Sequence, residues 1–335
     1  MIIKTHSYPR AALIGNPSDG YFGKTIAFVF SNFKAEVTLF ESPEIEIIPA
    51  QYDTNIFPGM KALADDVRLY GYYGGIRLLK AAVKRFYDHC LETNCQIEEK
   101  NFTIRYNSNI PYRLGLAGSS AIITACMKAL MKFYNVRIPE PLLANIVLSV
   151  ESDELKISAG LQDRVVQAYG CPVYMDFDEL LMKQQGYGKY ERLSKDLLPP
   201  LYIAYDADLS EGSEVVHNNF RERFNFGDRK VLDAIEEWSS LTDKVRELLL
   251  SGNKSKIAPL LNRNFDLRTE VMNISEKNLL MVETARSTGA SAKFTGSGGA
   301  VIGTYTDETM FKKLEKALLP IGVNIFKPVI VCDEG

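Results

Sequence analysis

A chain of 335 residues, 46% hydrophobic and 24% charged, has the make-up of an ordinary globular protein and is long enough for two domains around a shared cleft. A net charge of −3 leaves no basic excess to neutralise a nucleic-acid backbone, so no nucleic-acid partner is expected. No apolar run reaches about 18 residues, so no membrane-spanning helix is expected, and the polar residues 1–10 do not read as a signal peptide. Cys90, Cys95, Cys126, Cys171 and Cys332 are odd in number and form no Cys-x-x-Cys pair, which fits reduced thiols and a cytoplasmic location. His6, His89 and His217 are scattered, so no histidine-based metal site is expected.

In chain order, alternating apolar residues over 26–49 predict two or three strands. A loop at 71–75 precedes a helix over 78–90. A short strand at 102–106 is followed by a loop at 107–117 rich in Asn, Ser, Pro and Gly. Apolar residues Ile122, Ile123, Cys126, Leu130 and Phe133 predict a helix over 119–134, and further helices are expected over 141–155 and 162–169. A strand at 172–177 follows. The polar, glycine-bearing stretch 183–189 divides the chain into domains 1–187 and 188–335. Beyond it come a strand at 201–205, helices near 213–225, 228–250, 254–264 and 275–288, strands at 292–295 and 300–305, a helix at 307–318 and a last strand near 323–331. That order reads as an α+β second half.

The segment with the most chemistry is Pro-Tyr-Arg-Leu-Gly-Leu-Ala-Gly-Ser-Ser-Ala at 111–121. Gly115 and Gly118 let backbone approach an anion, and the N–H groups at a helix start stabilise phosphate. Ser119 and Ser120 can cap the helix, bind phosphate or ligate Mg2+. On local sequence alone, a phosphate cradle and an ordinary capped glycine loop weigh equally. Residues 18–25 approach the Gly-x-x-x-x-Gly-Lys-Ser/Thr phosphate loop, but Ser18 stands where its first glycine belongs. Residues 295–300 approach a dinucleotide fingerprint, but Val301 takes the third glycine's place and a strand follows.

Taken together, three segments resemble the motifs of the GHMP kinases (galactokinase, homoserine, mevalonate and phosphomevalonate kinases), in that family's order. Residues 111–121 resemble the second motif, with the pair Ala117–Gly118 where the family has one small residue. Residues 8–21, with Arg10, Leu13-Ile14-Gly15 and Asp19, resemble the first, and Lys293 to Ala300 the glycine-rich third. Segments 15–23, 71–79, 160–170 and 294–301 are similar to the glucuronokinase branch, sugar 1-kinases known from plants. The resemblance implies an α+β, two-domain fold: an N-terminal ATP-binding α/β domain and a C-terminal ferredoxin-like domain, with the active site between them. It implies ATP and Mg2+ as cofactors and a small sugar or sugar acid as substrate, with D-glucuronate expected to become its 1-phosphate. A monomer or homodimer is expected. Another sugar or alcohol acceptor (a heptose phosphate, galactose, a mevalonate type) and a catalytically silent ligand-binding relative are the alternatives.

The roles it implies fall on matched positions. Pro111, Gly115, Leu116, Ala117, Gly118, Ser119, Ser120 and Ala121 would hold the nucleotide phosphates. Asp163 matches the catalytic aspartate, able to accept or orient the acceptor's proton, and Arg10 the basic partner that steadies it or the transferring phosphoryl group. Glu151 matches the magnesium-binding glutamate, with Ser120 as the hydroxyl beside it. Asp19 matches an acid that binds sugar hydroxyls, and Asn16 replaces a glutamate common at its position. Gly296, Ser297, Gly298 and Gly299 would form a backbone wall beside the substrate, or else a purely structural hairpin. Tyr72, Tyr73 and Gln162 are expected as hydrogen-bonding neighbours of the sugar. Arg77, Arg113, Arg164 and Lys293 are candidates for a substrate carboxylate.

Overall fold

The structure, a computed structural model, describes residues 1–50, 53, 58–61, 74–111, 114–206 and 220–332. Strands β1 (Ile2–Ser7), β4 (Ala35–Ser42), β6 (Asn101–Ser108) and β5 (Glu46–Ile48) form one sheet in the order β1-β4-β6-β5, antiparallel except for the β5–β6 pair. Helix α1 (Gly75–Glu92) packs against α2 (Gly118–Phe133), which lies on β1 and β4. The middle of α2 is buried on every side, as its run of Ala, Ile, Met, Cys and Leu requires.

A second sheet, β2-β3-β7-β8, joins β2 (Arg10–Ile14), β3 (Lys24–Val29), β7 (Val173–Asp176) and β8 (Lys189–Arg192), all antiparallel. Helices α3 (Glu140–Ser149) and α4 (Leu161–Tyr169) pack on each other, and α4 also touches α2 and β3. A short helix α5 (Glu179–Gln185) precedes β8. The expected division after residue 187 falls just before β8, whose register with β7 ties residues 189–192 to the strands ahead of them.

The third sheet, β10-β11-β9-β12, is antiparallel and combines β9 (Leu201–Asp206), β10 (Lys293–Phe294), β11 (Ala300–Thr304) and β12 (Val323–Phe326). Helices α6 (Arg229–Leu250), α7 (Ala258–Val271), α8 (Glu276–Ser287) and α9 (Glu308–Leu318) complete this half. Residues 220–225 are helical; the rest of the helix expected over 213–225 lies outside the described residues. The last expected strand is shorter than 323–331. It stops before Pro328, which lacks a ladder donor, and Ile330 bridges instead to Phe30 in the first half.

The two halves meet through α6 and α7, which pack on β2 and β3. Trp238 on α6 is fully buried, and its Nε1 donates to the Asn264 carbonyl on α7 at 3.0 Å. The Asn264 side chain accepts from the Gly15 N–H (2.7 Å) and donates to the Asn16 carbonyl (3.1 Å). A helix of the second half thereby fastens the turn that leaves β2. No helix among the described residues is long and apolar enough to cross a membrane.

Candidate active site

Arg10, at the start of β2, is 4% exposed and joins three segments. Its N–H donates to the Leu116 carbonyl (3.0 Å). Nη1 donates to the carbonyls of Gly115 (3.1 Å) and Thr295 (2.6 Å), and Nη2 lies 2.5 Å from Asp163 Oδ1 in the first turn of α4. Two glycines make room for this junction. A Cβ on Gly296 would stand 2.5 Å from the Gly115 carbonyl oxygen and 2.9 Å from Arg10 Nη1. Gly115 has φ +61°, and a Cβ there would stand 3.0 Å from the Gly298 carbonyl oxygen. The 114–118 and 295–299 loops are therefore in direct contact.

Half-buried Pro111 opens the first of these loops, and Leu116 and Ala121 anchor it in the core. Ala117, at φ +61°, is the N-cap of α2, and no side chain caps that helix start. Its carbonyl accepts from Gln167 Nε2 on α4 (3.0 Å) and from Ser120 Oγ (3.1 Å). Ala117, Gly118 and Ser119 keep partial exposure at the positive end of the helix dipole, and among the described residues no side chain caps the first-turn N–H groups.

Ser119 Oγ donates to Glu151 Oε1 at 2.7 Å. The expected pairing of Glu151 with Ser120 is corrected here: Ser120 is fully buried and spends its hydroxyl on Ala117. Glu151 sits on a π-helical turn, Val150–Glu154, that continues α3 where a plain helix was expected to 155. Its other oxygen accepts from Arg164 Nε (2.8 Å) and Nη2, while Arg164 Nη1 reaches the Gly160 carbonyl (2.8 Å) and Asp163 Oδ2 (3.2 Å). Arg164 thus compensates two carboxylates in a buried place, and its donors are committed within the protein.

Asp19 projects from the turn Ser18–Tyr21 against the start of α4. Gly160 permits this, because a Cβ there would stand 2.3 Å from Asp19 Oδ2. Burial raises its pKa to about 6, helped by the negative charge of Asp163 and opposed by Arg10 and the Gln162 N–H. Asn16 Nδ2 donates to the carbonyls of Gly296 (3.2 Å) and Phe294 (3.4 Å). Asn16 Oδ1 and Gln162 Oε1, on the two segments that meet at Asp19, are buried acceptors with no partner among the described residues. Such atoms cost about 1–3 kcal/mol each and suit donors brought by a ligand.

The 295–299 loop is held by residues that sequence reading missed. Arg268 on α7, 2% exposed, donates from Nη1 to the Gly296 carbonyl (2.8 Å) and from Nη2 to that of Ser297 (3.2 Å), with its guanidinium 5.1 Å from the Phe294 ring. Burial lowers its pKa to about 10, against the pull of Asp19 and Tyr21. Asn278 on α8 accepts from the Gly299 N–H at 3.0 Å. These are single polar residues on amphipathic helices, with no local pattern to mark them.

Lys293, a candidate for a substrate carboxylate, is buried with Nζ on the carbonyls of Ala12 (2.8 Å) and Phe294 (2.7 Å). Burial, then Arg268 and Arg10, hold its pKa well below the usual lysine range. Arg77 is exposed and donates to the Leu155 carbonyl (3.1 Å). Tyr72, Tyr73 and Arg113 lie outside the described residues. Lys24, the lysine of the near phosphate loop, opens β3 and pairs with Asp243 (2.8 Å) and Asp176 (3.4 Å).

The family model "GHMP kinases N terminal domain" matches residues 77–171. The chain is 42% identical to "Glucuronokinase 1" of Arabidopsis thaliana over 306 residues, covering 90% of this chain and 84% of that protein. Among solved structures, a Lactococcus lactis galactokinase in complex with galactose superposes with a TM-score of 0.75 at 15% identity, over 99% of this chain and 94% of that one. The mevalonate kinase of Methanococcus jannaschii gives a TM-score of 0.71 at 21% identity, over 99% and 98%.

Proposed function

This chain belongs to the GHMP kinases, and on that premise we propose that it is an ATP-dependent sugar 1-kinase with D-glucuronate as its acceptor. The observation that carries the reading is the junction at Arg10, where an uncapped helix start, a second glycine loop and Asp163 converge. The similarity to a plant glucuronokinase supports the choice of acceptor.

In this reading the ATP phosphates lie at the start of α2, against the N–H groups of residues 117–119. Ser119 Oγ and a Glu151 oxygen form a hard-oxygen pair there, which suits Mg2+, since that ion takes one or two protein ligands and completes its shell with phosphate oxygens and water. When bound it would neutralise phosphate charge. Asp19, with the free acceptors Asn16 Oδ1 and Gln162 Oε1, would hold sugar hydroxyls. The anomeric oxygen attacks the γ-phosphorus as the bond to ADP breaks, and its proton passes to the Asp163 carboxylate. Arg10 keeps that carboxylate aimed and adds positive charge beside the transferring group.

The test is ADP release measured over a panel of sugars and sugar acids, with product phosphorylation located by NMR. Turnover of D-glucuronate at the anomeric oxygen is expected, and Asp163→Ala should lower kcat about 100- to 10,000-fold. A wild-type protein inactive on every sugar, or a fully active Asp163→Ala, would end this reading.

A further inference from the structure

A sugar acid needs a cation at its carboxylate, and the cations bordering Asp19 are mostly committed elsewhere. Arg10 is spent on Asp163 and two carbonyls, Arg164 on Glu151, Asp163 and the Gly160 carbonyl, Arg268 on the Gly296 and Ser297 carbonyls, and Lys293 on the carbonyls beneath them. All four are nearly inaccessible.

Arg221 differs. It is exposed, and its guanidinium is not among the ion pairs formed between described residues, which take up Arg223 with Asp228 and Arg246 with Glu191. Its guanidinium lies over the Tyr21 ring, 5.3 Å from the centroid, and Nη2 is 3.6 Å from where a Cβ on Gly20 would stand. Tyr21 is itself wedged edge-on between Phe220 (4.9 Å) and Phe224 (5.1 Å). The helical segment 220–225 is therefore docked on the turn that carries Asp19, and a stacked guanidinium lies beside Gly20, the residue that follows Asp19 in the chain. Stacking on an aromatic face pre-organises the planar fork for a bidentate carboxylate.

We propose that Arg221 is the residue that binds the acceptor's carboxylate and so makes the enzyme prefer a sugar acid to a neutral sugar. This rests on the sugar-acid reading above. The substrate would run from Asp163 at its anomeric end, past Asp19 at its hydroxyls, to Arg221 at C6.

The test compares kcat/KM for D-glucuronate with that for D-glucuronamide, its neutral isostere, in wild type, Arg221→Gln and Arg221→Lys. Glutamine keeps the aliphatic stem and a planar head over Tyr21 but removes the charge. The acid-to-amide ratio should fall about 10- to 100-fold in Arg221→Gln, mainly through KM for the acid, and recover in part in Arg221→Lys. An unchanged ratio in Arg221→Gln, or an equal loss on acid and amide, overturns the assignment while leaving the kinase reading intact. A wild-type protein that favours the amide overturns the sugar-acid reading and the role of Arg221 with it.

Discussion

Asp19 shows what burial does to a single group. Its carboxyl is raised to about 6, so the folded protein holds that proton more tightly than the unfolded chain does. Stability linked to Asp19 is fully present below the ordinary aspartate range and is lost as pH rises through about 6. Asp19→Asn removes this titration. Its melting temperature should exceed that of wild type at about pH 8, and the two should converge below about pH 4. The same substitution should weaken sugar binding, as expected where a group is held for function at the expense of the fold. Parallel melting curves at both pH values would show that Asp19 is not strained by its surroundings.

At the scale of elements, α2 decides which serine meets Glu151. Adjacent helical residues differ by about 100° around the axis, so one faces the cleft while the next faces the core. The motif places Ser119 and Ser120 side by side and does not say which is which; the exit of the preceding loop sets the phase. Ser119→Ala should therefore lower kcat more than Ser120→Ala does, with the difference read in steady-state assays at saturating ATP. The opposite ranking would reverse the assignment of the Glu151 partner. The same scale explains the strands that were missed. In β1 the inward positions are Ile3, Thr5 and Ser7, and Thr5 Oγ1 donates to the Ala125 carbonyl of α2 at 2.7 Å. Polar residues face inward there, so the apolar alternation that marked β4 and β6 is absent. Strand β2 is buried along its whole length, arginine included, and also shows no alternation.

At the scale of the molecule, the motifs were legible because each uses short-range chemistry: glycines where loops touch, serines at a helix start, a carboxylate in the first turn of α4. The resemblance to the GHMP motifs implied a shared site for Arg10, Gly115 and Asp163, and the structure brings these three residues into contact. What holds the cleft was not legible. Arg268, Asn278 and Asn264 act through helices of the second half, and their partners lie far away in sequence. Arg221 escaped for the same reason, since its place against Gly20 and Tyr21 depends on Tyr21 packing between two phenylalanines of a segment distant in sequence.

The seam between the halves also carries its own optical probe. The chain has one tryptophan, Trp238, buried where α6 meets α7 and bonded to the residue whose side chain grips Gly15 and Asn16. Its ring centroid lies 6.1 Å from that of Phe220, next to Arg221. Tryptophan emission, excited selectively over the 17 tyrosines, therefore comes from a single site that touches both Asn264 and Phe220. Titration with D-glucuronate should shift its intensity or maximum, and Asn264→Ala should red-shift the ligand-free spectrum as water reaches the indole. A spectrum indifferent to both would show that the seam and the pocket move independently.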